Sequence, residues 1–354
     1  MTDSVLREDM ALCAKTLNDN GLLPALSGKT VFITGATGLI GSQMVRTLLE
    51  ANRLYDADIT VAAFIRNEQK AQAMFEDVLP NGKLDFVIGD LSRPVEYDKP
   101  VDYIVHGASP TGSKFFVESP VETIETAIYG TDRLLQFARD KQVSGMVYLS
   151  SLEVYGVPDG KNPTISESDY GLIDPLSVRS SYSEGKRMVE CLCASYASEY
   201  GVPVKVARLS QTFGAGVEYH DGRVFAEFAR CLMEKKDIVL HTDGSTVRSY
   251  CYTADAVCAL YTILLKGESG EAYNVTNMDT ACSIREMAEL VAGLEPEAGV
   301  NVRIEIPEDL SSFGYNPQMI IRLDASKLKS IGYVPSVGME DMFRRTIRSM
   351  RERI

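Results

Sequence analysis

Three glycines spaced three residues apart constrain this chain more than any other feature. They follow a short apolar run at residues 30–34 and open a helical pattern at 39–49. A first glycine here allows a tight turn, a second lets the backbone approach a pyrophosphate, and a third lets the helix pack closely on the strand. The free N–H groups and the positive dipole end of the helix would then face the phosphates. We therefore predict a dinucleotide site, with an ordinary strand-to-helix turn as the alternative. The predicted cofactor-binding residues of this turn are Gly35, Thr37, Gly38, Leu39, Ile40 and Gly41.

Apolar strand patterns alternate with helical patterns through the first two thirds of the chain. Strands are predicted at 30–34, 59–65, 84–88, 102–106, 145–149 and 204–209, and helices at 39–49, 120–141 and 182–200. This alternation predicts a parallel sheet with helices on both faces. Right-handed crossovers make it a doubly wound α/β fold of the Rossmann type.

The alternation weakens after residue 209, where short elements and turns rich in glycine and aspartate predict a smaller C-terminal substrate-binding domain. The predicted division has three parts. They are an N-terminal helical extension at 1–27 with a helix at 5–19, a dinucleotide-binding Rossmann domain at 28–210, and a mainly substrate-binding domain at 211–354.

Composition argues against several classes of function. The net charge of −13 disfavours contact with phosphate backbones, so nucleic acid is not an expected partner. The three histidines and seven scattered cysteines show no zinc-ligand spacing, and no metal is expected. An odd number of scattered cysteines is typical of reduced thiols, and no apolar run reaches the roughly 20 residues that a membrane span needs. The N-terminus is polar and acidic, unlike a secretory signal, so we expect a cytoplasmic protein without a membrane partner.

A tyrosine and a lysine one helical turn apart give a second constraint. Tyr182 and Lys186 share a face of the helix predicted at 182–200. A free tyrosine has a pKa of about 10, and a nearby ammonium group lowers it, so we expect the pair to provide a base near neutral pH. Ser151, just after the fifth strand, could bind the same substrate oxygen while a hydride leaves the carbon for a nicotinamide. The Tyr-x-x-x-Lys pattern is common on helices, and it gains weight here from the glycine turn upstream.

The glycine spacing, together with Tyr-x-x-x-Lys downstream, resembles the extended branch of the short-chain dehydrogenase/reductase superfamily, the NAD-dependent epimerase/dehydratase family. Within that family the chain is most similar to the UDP-glucuronate decarboxylases, or UDP-xylose synthases. The stretches that carry this similarity are 108–110, 119–124, 150–156, 182–187, 221–224 and 248–255. The similarity runs from Lys29 to the C-terminus, whereas the first 28 residues have no counterpart that we can place.

The resemblance implies a complete redox cycle on one sugar. Oxidation of the sugar 4-hydroxyl would place a ketone β to the C5 carboxylate, which leaves as carbon dioxide before the hydride returns to C4. Arg248 would bind the carboxylate with its planar fork, Glu153 would lie beside the sugar ring, and Arg223 would serve the diphosphate. The alternative for Glu153 is a solvated loop glutamate, and the alternative for Arg223 is a surface salt bridge. The implied catalytic residues are Ser151, Glu153, Tyr182 and Lys186, and the implied substrate-binding residues are Ser109, Glu153, Gln211, Arg223, His241 and Arg248.

The choice of dinucleotide is left open by the second strand. An acid at its end would bind the ribose 2′-hydroxyl and select NAD, but Arg66 stands there. NAD is the expected cofactor, Arg66 also admits NADP, and a solvated arginine is the alternative. The resemblance places Asp90 and Leu91 at the adenine, although an aspartate that caps a turn is an equal alternative. The remaining implied cofactor contacts are Ala108, Tyr182 and Lys186.

Several positions depart from the decarboxylase pattern. Leu152 replaces a serine, and the related 4,6-dehydratases carry an acid there whose proton a leucine cannot supply. Nearer the nucleotide, Gln211 replaces an asparagine, Ala215 and Gly216 replace a Pro-Arg pair, and His241 replaces a tyrosine. The alternative to the decarboxylase is therefore a nucleotide-sugar epimerase, or a 4,6-dehydratase of the same family against which Leu152 counts, and a non-catalytic dinucleotide-binding protein is a remote alternative.

The helices predicted at 120–141 and 182–200 resemble those that pair between subunits in this superfamily. We therefore expect a homodimer, with one-sided packing of these helices on their own sheet as the alternative.

Overall fold

The computed structural model describes residues 3–110, 112–160, 162–307 and 320–354. Its strands are β1 (Thr30–Thr34), β2 (Thr60–Ile65), β3 (Leu84–Ile88), β4 (Tyr103–His106), β5 (Gly145–Ser151), β6 (Val204–Leu209), β7 (Gln211–Phe213), β8 (Ile238–Leu240), β9 (Val247–Tyr252), β10 (Ala272–Val275), β11 (Asn277–Ser283) and β12 (Val302–Ile304). Its α-helices are α1 (Ser4–Asp19), α2 (Leu23–Leu26), α3 (Leu39–Tyr55), α4 (Glu68–Phe75), α5 (Ser113–Glu118), α6 (Pro120–Lys141), α7 (Ser180–Tyr200), α8 (Val224–Met233), α9 (Thr253–Lys266), α10 (Ile284–Gly293), α11 (Ser326–Ser330) and α12 (Met339–Arg353).

A seven-stranded parallel sheet forms the centre of the described fold. Its strand order is β10-β6-β5-β4-β1-β2-β3, and every neighbouring pair is parallel. The chain order reverses between β1 and β4, and the crevice outside the carboxyl ends of these two strands is where ligands bind in open α/β sheets. The predicted doubly wound α/β fold is confirmed.

Both faces of the sheet are buried, as the apolar strands predicted. In β1, Val31 and Ile33 enter a core with α3 and α9, whereas Phe32 points into a second core with Leu134 of α6 and Val189 of α7. Alternate residues of one strand therefore hold a helical layer on each side.

The predicted element boundaries agree closely where apolar runs are bounded by turns. The strands at 30–34, 84–88 and 204–209 and the helix at 120–141 match in full. The helix predicted at 39–49 continues to Tyr55, and the strand predicted at 145–149 continues to Ser151. The short helices α4 and α5 were not predicted.

The C-terminal segment contains smaller sheets and also returns to the large one. Strands β11, β9 and β7 form one sheet, and β12 pairs with β8 in another. In contrast, β10 extends the large sheet beside β6, and α9 packs on its core. The predicted N-terminal helix is α1, which packs on α3, α9 and α12.

Candidate active site

The glycine turn has the shape that its spacing predicted. Gly35 has a φ of +71°, and a Cβ atom placed on it would lie 2.7 Å from the carbonyl carbon of Gly107. A Cβ atom on Gly41 would lie 2.2 Å from the carbonyl oxygen of Gly35, so α3 packs directly against the turn. Gly38 is exposed at the start of α3, where a Cβ atom would have one contact, at 3.2 Å from the same oxygen. The first and third glycines thus meet steric requirements of the fold, while the second leaves the helix N-terminus open to a ligand.

The predicted adenine contacts lie after β3. Asp90 accepts a hydrogen bond from the backbone N–H of Ser92 at 2.7 Å, and this bond, with the nearby charge of Arg66, lowers the pKa of its carboxyl. Leu91 is buried, and its carbonyl accepts a bond from Arg133 at 2.8 Å. Asp90 therefore caps a turn, as in the alternative to an adenine contact given above. The capping bond uses its Oδ1 atom and does not involve its Oδ2 atom.

A buried histidine joins the glycine turn to α6. The Nδ1 atom of His106 lies 2.8 Å from the hydroxyl of Thr34, and its Nε2 atom lies 2.9 Å from the hydroxyl of Thr131. The Thr34 hydroxyl also accepts a bond from the N–H of Ala108 at 3.2 Å. Burial lowers the pKa of His106 to about 3, and the charge of Lys186 adds to the shift. His106 is thus a neutral link that fixes the β4 end of the predicted cofactor site.

The structure brings the predicted catalytic side chains together at the carboxyl end of β5. Ser151 ends this strand, and its hydroxyl lies close enough to Tyr182 to act on the tyrosine through a hydrogen bond. Lys186 is buried one turn along α7, with its Nζ atom 5.7 Å from the centroid of the Tyr182 ring. The same Nζ atom donates to the carbonyl of Leu149 at 2.8 Å. The three side chains can therefore act on one substrate oxygen and on a neighbouring ribose.

The expected lowering of the tyrosine pKa is wrong for this arrangement. Burial raises the pKa of Tyr182, and the charge of Glu153 raises it further, against the Ser151 hydrogen bond and the charge of Arg179. The ring of Phe116 from α5 stacks on Tyr182 at 4.2 Å and excludes water. Burial also lowers the pKa of Lys186 to about 8, against the charge of Glu190. Desolvation dominates both shifts because it disfavours the charged form of each group.

The predicted sugar-side glutamate is held by an arginine that the sequence analysis missed. Glu153 accepts bonds from Arg179 at 2.9 Å and from the hydroxyl of Ser183 at 3.2 Å. The Arg179 guanidinium also lies over the Phe116 ring, 5.0 Å from its centroid. Arg179 precedes the first residue of α7, where the helix dipole disfavours a cation. An arginine at that position needs an anionic partner. Its place just before α7 is therefore the feature of the sequence from which an interaction of Arg179 with an acidic side chain could have been predicted.

Glu153 also lies within electrostatic reach of Arg248. Burial lowers the pKa of Arg248, while the charges of Tyr250 and Glu153 oppose this shift. Arg248 is on β9, and its guanidinium donates to the carbonyl of Val247 at 3.2 Å. Glu153 therefore pairs with Arg179, and its charge also acts on Arg248 and on Tyr182.

The residues predicted for the nucleotide end are more dispersed. Arg223 begins α8, where it pairs with Asp221 at 2.6 Å, so the alternative of a salt bridge is present. The ring of His241 lies 3.2 Å from the carbonyl of Glu305. Gln211 starts β7 and pairs in register with Tyr250 of β9. Ser109, on the opposite side, donates to the carbonyl of Pro110 at 3.2 Å.

A separate cavity of about 640 Å³ lies at the β6–β10 edge of the sheet, away from these residues. Its wall includes Arg208, which is buried and bonded to Glu190 at 2.7 Å. Arg208 also donates to the hydroxyls of Tyr155 and Tyr170. The polar groups of this wall are largely committed to each other, and the cavity has no contact with Ser151 or Tyr182.

Comparisons with known proteins agree with this geometry. The sequence model of the NAD dependent epimerase/dehydratase family matches residues 31–276. UDP-glucuronic acid decarboxylase 6 of Arabidopsis thaliana is 30% identical over 89% of this chain and 87% of its own. UDP-glucuronic acid decarboxylase 1 of Danio rerio is 29% identical over 90% of this chain and 72% of its own.

Solved structures give the same fold. A dTDP-glucose 4,6-dehydratase from Streptomyces venezuelae, solved with NAD, is 26% identical, with a TM-score of 0.73 over 91% of this chain and 97% of its own. A UDP-glucuronic acid 4-epimerase from Bacillus cereus has a TM-score of 0.75 over 92% of this chain and 100% of its own, and at 19% identity it supports the fold alone. Among the described residues, no helix is long and apolar enough to cross a membrane, and no cluster of potential metal ligands occurs.

Proposed function

Because this chain belongs to the NAD-dependent epimerase/dehydratase family, we propose that it decarboxylates a UDP-linked uronic acid, converting UDP-glucuronate to UDP-xylose. The observation that carries the proposal is that Glu153 pairs with Arg179 and lies within electrostatic range of both Arg248 and Tyr182. The resemblance to the decarboxylases of plants and fish supports it.

The charges of this cluster favour an anionic sugar. The two arginines of this cluster favour an anion in the substrate, because charge-assisted hydrogen bonds to a carboxylate are stronger than those to a neutral hydroxyl. A uronate carboxylate would supply that anion, and the planar fork of Arg248 can bind it through two parallel hydrogen bonds. A neutral hexose would offer the two arginines only the weaker hydrogen bonds of uncharged acceptors.

The chain also supplies the groups that a redox cycle on the sugar requires. NAD, when bound, would accept the hydride from C4 of the sugar and later return it. Tyr182 would take the proton of the 4-hydroxyl and give it back, and Ser151 would hydrogen-bond the same oxygen. Lys186 would bind the adjacent ribose and, as a cation, stabilise the tyrosinate. Between these proton transfers, the carboxylate held by Arg248 would leave as carbon dioxide, and the ketone would accept its electron pair as an enolate. A proton from water would then add to C5, which restores the ketone before the hydride returns to C4.

The glycine turn is well shaped for the dinucleotide. Its pyrophosphate would lie against Gly38 at the exposed N-terminus of α3, with the adenine near Asp90 and Leu91. We propose NAD as the resident cofactor. Arg66 is exposed near Asp90, so a 2′-phosphate could also be accommodated.

Leu152 argues against a dehydratase. Its side chain is buried with Ile165, Ile321 and Leu323 in a small apolar cluster. The position that carries an acid in the dehydratases is thus filled here by a packing residue, which cannot protonate a departing hydroxyl.

We further propose a cytoplasmic homodimer. Helices α6 and α7 expose large apolar side chains that a second subunit would cover: Val121, Ile124, Tyr129, Met188 and Tyr200. All seven cysteines are free thiols, as is usual in a reducing compartment.

The proposal is tested by incubating the protein with UDP-glucuronate and following carbon dioxide and UDP-pentose by mass spectrometry. We expect release of carbon dioxide without net consumption of NAD, and its loss in Arg248→Met and Glu153→Gln. Glu184→Gln is the matched control, because Glu184 lies on α7 in a surface ion pair with Arg187. A UDP-hexuronate product of unchanged mass would instead identify an epimerase, and no turnover at any NAD concentration would refute the redox cycle.

A further inference from the structure

Two helices outside the region that matches the family, α1 and α12, pack against each other, and α1 also packs on α3, the helix that follows the glycine turn (the dinucleotide helix below). The match covers residues 31–276, whereas α1 precedes it and α12 follows it. Two acidic side chains at this helix point inward: Asp3, which caps the N-terminus of α1, is 2% exposed, and Asp9 within α1 is 1% exposed. Buried carboxylates need partners, and both find them on α12 and in the neighbouring core.

Asp9 is bound by two groups. The hydroxyl of Tyr252 donates to it at 2.6 Å, and Arg345 of α12 forms an ion pair with it at 2.6 Å. The Tyr252 hydroxyl also accepts a bond from the N–H of Ala215 at 3.4 Å. A Cβ atom on Gly214 would lie 2.6 Å from the Tyr252 ring, so the chain at 214–215 rests on this tyrosine.

Asp3 acts on the next residues in the same way. It accepts a hydrogen bond from the hydroxyl of Ser349, and Arg353 lies 3.4 Å from it. The Ser349 hydroxyl accepts a bond from the N–H of Gly216 at 3.0 Å. Arg353 donates to the carbonyls of Gly216 and Val217.

The segment held by these contacts, residues 214–217, lies against the start of the dinucleotide helix. Gln43 of α3 donates to the carbonyl of Ala215 at 2.7 Å. Gly216 has a φ of +86°, and a Cβ atom on it would lie 3.5 Å from Leu39, the first residue of α3. Side chains from α3, β9 and α12 thus bond the main-chain polar groups of this short segment beside the predicted pyrophosphate site. Asp9 and Asp3 in turn bind the side chains from β9 and α12.

We propose that α1 and α12 form a brace that fixes segment 214–217 on the first turn of α3 and thereby retains the dinucleotide. Asp3 and Asp9 are positioning residues, which act through Ser349, Arg353 and Tyr252. Fixing a backbone residue costs about 1–2 kcal/mol of conformational entropy. If the segment is already ordered before the cofactor binds, this cost does not reduce the binding free energy of the cofactor. Retention matters under the proposed function, on which this inference partly rests, because one bound NAD gives and recovers the same hydride.

The test compares two pairs of variants. Asp9→Asn is paired with Glu8→Gln, because both acids contact Arg345 and Asp9 alone reaches Tyr252. Ser349→Ala is paired with Thr346→Val, because the Thr346 hydroxyl bonds only the carbonyl of Met342 in its own helix. Amide hydrogen exchange over residues 214–217 and the Kd for NAD are measured for each protein well below its Tm.

We expect faster exchange at 214–217 and a Kd for NAD raised at least about fivefold in Asp9→Asn and Ser349→Ala, the lower end of usual coupling between sites. Both controls should match the wild type in exchange and in Kd. Ser349→Thr, which keeps a hydroxyl at this position, should also have wild-type exchange and a wild-type Kd. Faster exchange with an unchanged Kd, or unchanged exchange in both variants, overturns the proposal. If Asp9→Asn does not fold, Ser349→Ala decides.

The two proposals fail in different ways. Wild-type protein that binds NAD but releases no carbon dioxide refutes the decarboxylase, while hydrogen exchange and NAD affinity still decide the brace. Wild-type protein that binds no dinucleotide overturns both.

Discussion

The glycine turn allows the predicted roles of two glycines to be separated by adding one methyl group to each. Alanine is a better helix former than glycine by about 1 kcal/mol, so Gly41→Ala inside α3 would ordinarily stabilise the protein. Here the new methyl group would lie 2.2 Å from the carbonyl oxygen of Gly35 and 3.1 Å from the Cα atom of Ala36. Because the neighbouring atoms belong to the backbone, no side chain can rotate away to make room.

Relief of this contact requires α3 to move away from the turn by about 1 Å, and overpacking in a tight core costs about 1–3 kcal/mol. Because the new contacts are with backbone atoms, we expect a cost at the upper end of this range, about 3 kcal/mol, which leaves a net loss of about 2 kcal/mol after the propensity gain of about 1 kcal/mol. At about 2 °C per kcal/mol for a large domain, Gly41→Ala should lower the Tm by about 4 °C. The displaced helix should also bind NAD more weakly.

Gly38→Ala should behave differently. Its φ of −86° is accessible to any residue, and its methyl group would have one contact, at 3.2 Å. We expect a small change in Tm, from weaker N-capping, together with a large loss of NAD affinity, because the methyl group would occupy the approach to the pyrophosphate. Thermal denaturation and equilibrium NAD binding are measured on both variants. Unchanged NAD binding by Gly38→Ala would refute the phosphate site, and a wild-type Tm in Gly41→Ala would refute the packing argument.

Three further predictions concern charge. Since the pKa of Lys186 is lowered to about 8, kcat/KM should fall as pH rises above about 8 while the lysine loses its proton, and this limb should be absent from the pH profile of Lys186→Arg. Arg66→Ala should weaken NADP binding by about tenfold or more, the value of one charge-assisted contact, and leave NAD binding unchanged. Arg93→Ala is the control. Equal effects of Arg66→Ala on the two dinucleotides would contradict a role of Arg66 in binding the 2′-phosphate. Arg208→Met would remove the arginine that pairs with the carboxylate of Glu190, and it should lower the unfolding free energy by about 3–5 kcal/mol. Thermal denaturation measures this loss, and Glu190→Leu in the same protein should partly reverse it.

The sheet could be predicted from the sequence because each strand is an apolar run between turns and is buried on both faces. The same logic missed α4 and α5. Helix α4 buries only Ala71 and Phe75 and has a weak apolar stripe, and α5 has only six residues. It also missed the return of β10 to the large sheet, since a strand of four residues within an irregular segment leaves no periodic signal.

Individual site residues could be predicted, but their surroundings could not. The spacing of Tyr182 and Lys186 places both on one face of α7. Their pKa values depend on burial, to which Phe116 of the unpredicted helix α5 contributes by stacking on the tyrosine. The sequence likewise indicated Glu153 without its partner Arg179, because the two residues are 26 positions apart. They meet because a single 3₁₀ turn at Leu152–Tyr155, directly after β5, brings Glu153 to the start of α7.

The mutual dependence of these charges decides how the Glu153→Gln experiment is to be interpreted. In the resting site, the charge of Glu153 raises the pKa of Tyr182 and opposes the fall in the pKa of Arg248. Removal of that charge should therefore lower the tyrosine pKa, which by itself increases the fraction of Tyr182 that is ionised near neutral pH. If Glu153 acted only through Tyr182, the variant would gain activity near neutral pH, with its acidic limb shifted to lower pH. A loss of carbon dioxide release in a folded variant, measured across the pH profile, would then have to arise at the sugar, where under the proposed function Glu153 and the two arginines would meet the carboxylate.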